Sequence, residues 1–455
     1  MIQREAVVLV IGIIVLMTVV GLALAGESAS SDTQVESYSF TPPTVSSELP
    51  DLEPGYVSLH GERYASLSEA DERASPGDTI EIHGHLTGSA MIQTPNVTVR
   101  GVNTAIIDGE GMGRVLEIGA DDVTVSDLWV TGSGHDLGNE DAGVFVDGAR
   151  AQLNGLTITD TAFGVWINGV EEVTVEDSTI IGRTEVYPRT HRGNGIHLWQ
   201  ATDAKLINNE ITGARDGIYY QWSNGVVTRD NTLWSLRYGV HYMYSDDNWL
   251  ENNTATDSHA GFALMVSSNL TMVDNLAINN RGASEHGILL KDIQNSQIVG
   301  NHVVDNGNGF YVYNAHRNVI ERNLVLGNDV GVVRTAGSHE QTFVENAFID
   351  NAVPAYSTVN APQAWNASGI GNYWSDARTI DLNNDGVSAI RYRPAGVIEE
   401  LRVEQPSAEL FAHSPAFDAV RLAEDSFPVL GDTTIVDHHP LTDPPIDDWS
   451  EYYED

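Results

Sequence analysis

The chain has 455 residues, with 64 acids against 23 bases, a formal charge of −41 and no cysteine. That length holds one large domain or two to three ordinary ones, so core size sets no limit. Nucleic acid is excluded as a partner, because phosphate binding needs a clustered basic surface. A disulfide framework and a thiolate metal centre are excluded with the cysteines. Only Lys205 and Lys291 are lysines, and the acids are spread along the chain, not gathered in a tail. Concentrated salt screens the self-repulsion of such a chain, so the composition reads as salt-adapted and haloarchaeal-like.

Residues 6–25 form an uncharged, almost wholly apolar run of 20, long enough to span a bilayer. Arg4 is the one base before it, and Ala23, Leu24 and Ala25 have the small-residue pattern of a cleavage site. Residues 1–25 are therefore a signal peptide or a membrane anchor, and the remainder is extracytoplasmic. Residues 26–55 are rich in Ser, Thr, Pro and Glu and read as a linker.

From Tyr56 the texture changes to short alternating strands punctuated by Gly, Asn and Asp. A glycine opens each of "GVFVD" (143), "GVWIN" (164), "GIHLW" (195), "GIYYQ" (217), "GVHYM" (239), "GFALM" (261), "GILLK" (287), "GFYVY" (309) and "GVVRT" (331). From Gly195 the steps are 22, 22, 22, 26, 22 and 22 residues, and Asn209, Asn231, Asn253, Asn275, Asn301, Asn323 and Asn346 keep the same period. This pattern predicts an all-β fold, a single-stranded right-handed parallel β-helix of about 22-residue coils over residues 56–365. Glycine permits a corner where a Cβ would clash, and asparagine side chains stack between coils. The positions one and three after each glycine, such as Val240 and Tyr242, point into the core. An N-terminal cap is needed to cover the first apolar layer.

Two longer steps mark loops, around "RTEVYPRTHRG" and near "NRGASEH". The outward column two residues after each glycine reads Phe145, Trp166, His197, Tyr219, His241, Ala263, and the column four after it includes Trp199, Met243, Met265, Lys291 and Tyr313. On so acidic a chain this face is aromatic and rich in Met and His. Three readings are open. The residues form a ladder that stacks for stability; Trp166, Trp199, Tyr219 and Tyr313 form a partner surface; or His241, Met243, Met265 and His197 bind copper transiently, thioether and imidazole suiting Cu(I). His197 and His241 lie two coils apart, too far to share one ion without movement.

An enzyme reading is weaker. Glycoside hydrolysis needs two carboxylates across the bond, whereas Asp246 and Asp247 are adjacent on a turn-like "SDDN", and "GHD" (134–136) is a lone His–Asp. "DLNNDG" (381–386) has the Asp381, Asn383, Asp385, Gly386 pattern of a calcium loop, but Tyr392 stands where the closing acid is needed, which makes calcium doubtful. Residues 366–455 are a small C-terminal extension containing a helix from about Ser414 to Asp425, with Ser414 as N-cap and Pro415 first in the helix. Removing residues 397–455 is expected to leave the β-helix folded.

"GNGIHLW", "RDGIYY", "LRYGVHYMYSDDNWLENN", "HGILLKDI", "GNYWSDARTIDLNNDG", "SGHDLGNEDAGVFV" and "SPAFDAVRLAEDSFPVL…VDHHPL" together resemble the NosD family of nitrous oxide reductase maturation proteins, over residues 56–445. The resemblance implies an extracytoplasmic copper-binding β-helix. It implies partners too: an ABC-type ATPase and its membrane subunit, a lipoprotein copper chaperone, and nitrous oxide reductase, whose copper centre the family helps assemble. No ligand motif comes with the resemblance. Ser388 and Ala389 depart from the Gly-Asp with which the family's acidic loop continues. The alternative is a cell-surface carbohydrate-binding or polysaccharide-active β-helix.

Overall fold

In the computed structural model, residues 40–335, 337–359, 363–394, 435–447 and 449–452 are described, with short stretches between 398 and 420. Residues 6–25, and the expected helix beyond residue 420, lie outside the described residues.

The repeat folds as its spacing predicts. Each coil contributes one strand to a sheet of 12 parallel strands and two short strands to a larger sheet that wraps the other faces. Ile196, Leu198, Val240, Tyr242, Ile288 and Leu290 are all fully buried in one continuous core. A Cβ on Gly195 would fall 2.4 Å from Ile211 Cγ2, and one on Gly239 would fall 2.6 Å from the Gly261 carbonyl. The corner glycines are thus required by crowding, since their φ angles are not left-handed.

The asparagine column is one hydrogen-bonded chain. Nδ2 of Asn209 donates to Oδ1 of Asn231, and the pattern repeats through Asn253, Asn275, Asn301, Asn323, Asn346 and Asn372 at 2.8–3.0 Å. Each Oδ1 also accepts from the backbone N–H of the preceding asparagine, as Asn301 does from Asn275 at 3.0 Å. Every buried amide is therefore satisfied by its neighbours.

The first coils are closed by antiparallel strands Tyr56–Leu59, Glu62–Tyr64 and Thr79–Thr87 and a short helix, Leu67–Asp71, that buries Leu67 and Ala70. At the other end, Ile435–Val436 pairs with Gln363–Ala364. Asp437 then ends the asparagine chain: its Oδ2 accepts from the Asn372 amide at 2.7 Å and from Trp374 Nε1 at 3.0 Å. Removal of residues 397–455 would take away the contacts of Ile435, Val436 and Asp437 with the last coil. Tyr392 and Asp437 bridge across the segment between them. Within it, the Ser414 hydroxyl accepts from the Phe417 amide, and residues 415–417 and 419–420 are helical.

The segment expected to be a linker lies against the solenoid from Phe40 onward, where Phe40, like Leu276, Tyr373, Ile446, Trp449 and Tyr452, packs against a cluster of Ile278, Val304, Leu324, Leu326, Ala347 and Ile349.

Candidate functional site

The column two residues after each glycine faces away from the core, yet it is covered. Its rings pile on one another: Trp166 stacks on His197 with centroids 3.8 Å apart, and Tyr219 stands T-shaped between His197 and His241 at 4.8 Å from each. Phe163 closes the side of Trp166 at 4.8 Å. Phe145, Trp166, His197 and His241 are all buried. Trp166 accordingly has no face to offer a partner, which corrects its place in the partner surface. Trp199 and Tyr219 are half-buried, and Tyr313 is exposed.

The residue before each corner glycine belongs to this same outer face. Simple strand alternation sends it inward, but the chain turns at the glycine. Asp216 therefore meets the outer face, fully buried beneath its neighbours. Its Oδ2 receives Nδ1 of His241 at 3.1 Å and Nη2 of Arg237 at 2.5 Å, while Arg237 Nε donates to Oδ1 at 2.7 Å. Arg215 stands 3.5 Å away and also donates to Asn194 Oδ1. Burial alone would raise the Asp216 carboxyl, but the hydrogen bonds of His241 and Arg237 and the charge of Arg237 hold it far below the usual carboxylate range. Burial outweighs Asp216 at His241 and keeps that imidazole neutral.

The bonds assign the tautomers. His241 donates from Nδ1 to a carboxylate, so Nε2 carries a lone pair, and that atom is buried without a partner. A carboxylate behind an imidazole is the arrangement that orients metal-binding histidines. Met243 follows His241 on the same face, and Met243 and Met265 are strand partners on successive coils, both half-buried. Imidazole and thioether are soft donors by chemistry. His197 differs. Its Nδ1 faces the Asn194 amide at 3.1 Å, which leaves a proton, not a lone pair, on Nε2. Among the described residues, no group of three or more His, Cys, Asp or Glu is placed to hold a metal.

The loop around residues 183–192 stands beside this face. Arg192 ties it down on the carbonyls of Thr184, Val186 and Gly213, and Arg189 reaches the Leu236 carbonyl two coils further on, at 2.7 Å.

The corner after the site strands is unusual. Gln200, Trp222, Tyr244, Val266, Asp292 and Asn314 all take left-handed backbone, with φ between 47° and 55°. Asn and Asp tolerate that region, whereas a β-branched or bulky residue pays for it. Trp222 and Tyr244 are 43% and 47% exposed, their rings 17° from parallel, and Trp199 meets Trp222 edge-on at 4.9 Å. Sequence reasoning placed the partner surface one column away from these residues; the aromatic residues directly after "GIYYQ" (217–221) and "GVHYM" (239–243) were the available signal.

The remaining sequence candidates are occupied by turns. Asp246 Oδ1 accepts from the Ser268 amide and hydroxyl, and Asp247 Oδ1 from Asn269. Asp381 accepts from the amides of Asn383, Asn384 and Gly386, closing the acidic loop on itself.

Two curated proteins named "Probable ABC transporter binding protein NosD" are similar to this chain. The one from Stutzerimonas stutzeri is 36% identical over 375 residues, covering 79% of this chain and 85% of that protein. The one from Pseudomonas aeruginosa is 33% identical over 402 residues, covering 82% and 93%. The chain belongs to the NosD family. The family model "Periplasmic copper-binding protein (NosD)" matches residues 177–379, which contain the His241 face, the Met pair and most of the asparagine chain. NosD is an accessory binding protein of the extracytoplasmic side. Among solved structures, the A-module of the mannuronan C-5 epimerase AlgE6 from Azotobacter vinelandii aligns at TM-score 0.52 and 14% identity, over 67% of this chain and 94% of that one. The Dettilon tailspike protein gp208 aligns at 0.52 and 14%, over 64% of each. These two likenesses establish the β-helix and nothing of the chemistry.

Proposed function

We propose that this protein is a scaffold in copper-centre assembly: it works with an ABC-type ATPase and its membrane subunit, takes copper from a lipoprotein chaperone and passes it towards nitrous oxide reductase. The observation that carries the copper step is the buried, unpartnered Nε2 of His241, oriented by Asp216 and followed on its face by the Met243–Met265 pair. Copper is the cargo here, held by one imidazole and two thioethers that bind Cu(I) and release it to a stronger site. The names of the two curated relatives support the transporter partnership.

Anaerobic Cu(I) titration against a chromogenic chelator tests the copper step. Wild type is expected to compete for about one ion, and a His241→Ala/Met243→Ala/Met265→Ala variant to lose it. Equal competition by both would move the cargo site elsewhere. For the transporter, the segment between Tyr392 and Asp437 is the contact arm, in which Leu410 and Phe411 stand exposed. Replacing residues 396–433 by a short glycine linker keeps the closure at Asp437. That variant is expected to fold and to lose co-purification with the ATPase and membrane subunit; undiminished co-purification would refute the arm.

A further inference from the structure

The loop at residues 183–192 gathers Arg183, Arg189, His191 and Arg192 on a chain that has few bases. Tyr187 stands out from it at 89% exposed, more than any other large apolar side chain among the described residues. The loop is nonetheless held in place. Arg192 grips three carbonyls of its own neighbourhood, and Arg189 shares the Leu236 carbonyl with the His259 amide, which reaches it at 3.1 Å.

Beside the loop, the residues two before the corner glycines 217, 239 and 261 are Arg215, Arg237 and His259. Their coils are tied in sequence, with the Arg215 amide on the Gly193 carbonyl at 2.8 Å, the Arg237 amide on the Arg215 carbonyl at 2.7 Å and the Ala260 amide on the Arg237 carbonyl at 3.0 Å. The second loop closes the far end, because a Cβ on Gly282 would fall 2.3 Å from His259 Cδ2. From Gly193 to His259 is three coil steps, a trough about 14 Å long.

The trough is short of carboxylates. Arg100, Arg150, Arg281 and Arg322, on other parts of the surface, each pair with acids. Here Arg215 and Arg237 share Asp216, and Arg189 and Arg192 pair with no carboxylate among the described residues. Burial pushes both of these guanidinium groups below the ordinary arginine value, and the charge of Arg189 adds to the push on Arg192 against the smaller pull of Glu185. Positive charge is therefore left over on a body of formal charge −41.

The geometry points to a docking site for an acidic segment of a partner protein. About four extended residues lie along the trough, their carboxylates on Arg189 and Arg192 and the Tyr187 ring beside them. Such a segment is repelled by the rest of this surface, so the trough fixes where it lands. Cations spread over three coils suit a row of carboxylates better than a single small ion. Tyr and Arg are the residues that anchor interfaces, and a loop tied down beforehand loses little freedom on binding. This site goes beyond the copper reading and does not rest on it.

The probe is dye-labelled hexaglutamate, with hexaglutamine as its control. Its anisotropy is followed with the full chain at the lowest salt that keeps the native far-ultraviolet spectrum. Hexaglutamate is expected to bind and hexaglutamine not. Arg189→Gln is expected to weaken binding about tenfold and Tyr187→Ala about threefold, whereas Arg100→Gln leaves it unchanged. Tyr187 is too exposed for its loss to unfold the loop, so that variant remains a test if Arg189→Gln disturbs folding. Four results would each overturn the proposal: no binding of hexaglutamate, equal binding of hexaglutamine, unchanged affinity in both loop variants, or full displacement by inorganic phosphate at matched charge, the mark of a small-ion site.

Discussion

Asp216 and His241 meet one coil apart, carboxylate Oδ2 to imidazole Nδ1 at 3.1 Å, and neither is exposed enough to exchange its partner for water. Asp216→Asn removes the charge but keeps the shape. Arg237, which gives Asp216 two bonds, is left half-buried beside a neutral amide. Breaking a buried pair this way costs about 3–5 kcal/mol, and the denaturation midpoint is expected to fall. An unchanged midpoint would mean that the arginine finds another partner. In the same variant His241 is free to take either tautomer, so Cu(I) affinity is expected to drop even though no proposed ligand has been altered.

Acid should loosen this face first. Burial, reinforced by Arg215, pushes His197 from an ordinary 6.5 down to about 3, and burial pushes His286 down to about 4. Both are neutral when folded. Below pH 6.5 the unfolded chain takes up protons that the folded chain refuses, so stability is lost as pH falls from there towards 4. The slope is about 1.4 kcal/mol per pH unit for each histidine. Relief of acid–acid repulsion runs the other way, so the comparison is between wild type and a His197→Gln/His286→Gln variant. The variant is expected to show the shallower acid loss in unfolding experiments at pH 7, 6, 5 and 4; parallel profiles would count against buried neutral histidines.

The left-handed corner can be tested without any ligand. Val266 has φ 51° and is β-branched. Asparagine, the residue the same corner uses at Asn314, accepts that backbone at lower cost. Val266→Asn is expected to stabilise by about 1 kcal/mol, a gain read from the urea midpoint. A fall would show that Val266 contributes more by packing than it loses in backbone strain.

Asn275 sits mid-chain in the amide stack. Its Nδ2 donates to the Leu250 and Val273 carbonyls and to Asn301, and its Oδ1 accepts from Asn253. Asn275→Ala leaves several buried groups unpaired and should cost about 3 kcal/mol or more. Asp437→Ala, which strips the acceptor from Asn372 and Trp374 at the terminus, is expected to fray the last coils first, seen as earlier amide exchange there than around Asn231.

The solenoid was legible because its two strongest markers, corner glycine and stacked asparagine, each answer a local demand repeated at every coil. The His–Met face was legible in part. Counting from glycine found His241, Met243 and Met265, but missed Asp216, whose position before the glycine alternation assigns to the core. It left open whether the ring column was a stacked ladder or a partner surface, because ring-on-ring cover comes from neighbouring coils and leaves no mark within one repeat. The docking of residues 40–54 was hidden by composition. Residues 40–55 read as linker in their Ser, Thr and Pro content, and the one side chain that docks their start, Phe40, pairs with residues more than 200 positions away.

The stretch from Phe40 to Pro54 is a strap, packed on the Ile278–Ile349 cluster at one end and bridged to His85 at the other, and it couples two lengths that otherwise vary independently. A further coil would raise the solenoid by about 4.8 Å, and the strap would need one or two more residues to cross it. The solenoid and the strap alongside it must therefore lengthen together or come apart at Phe40, so the strap works as a gauge of the molecule's height, read at one aromatic ring.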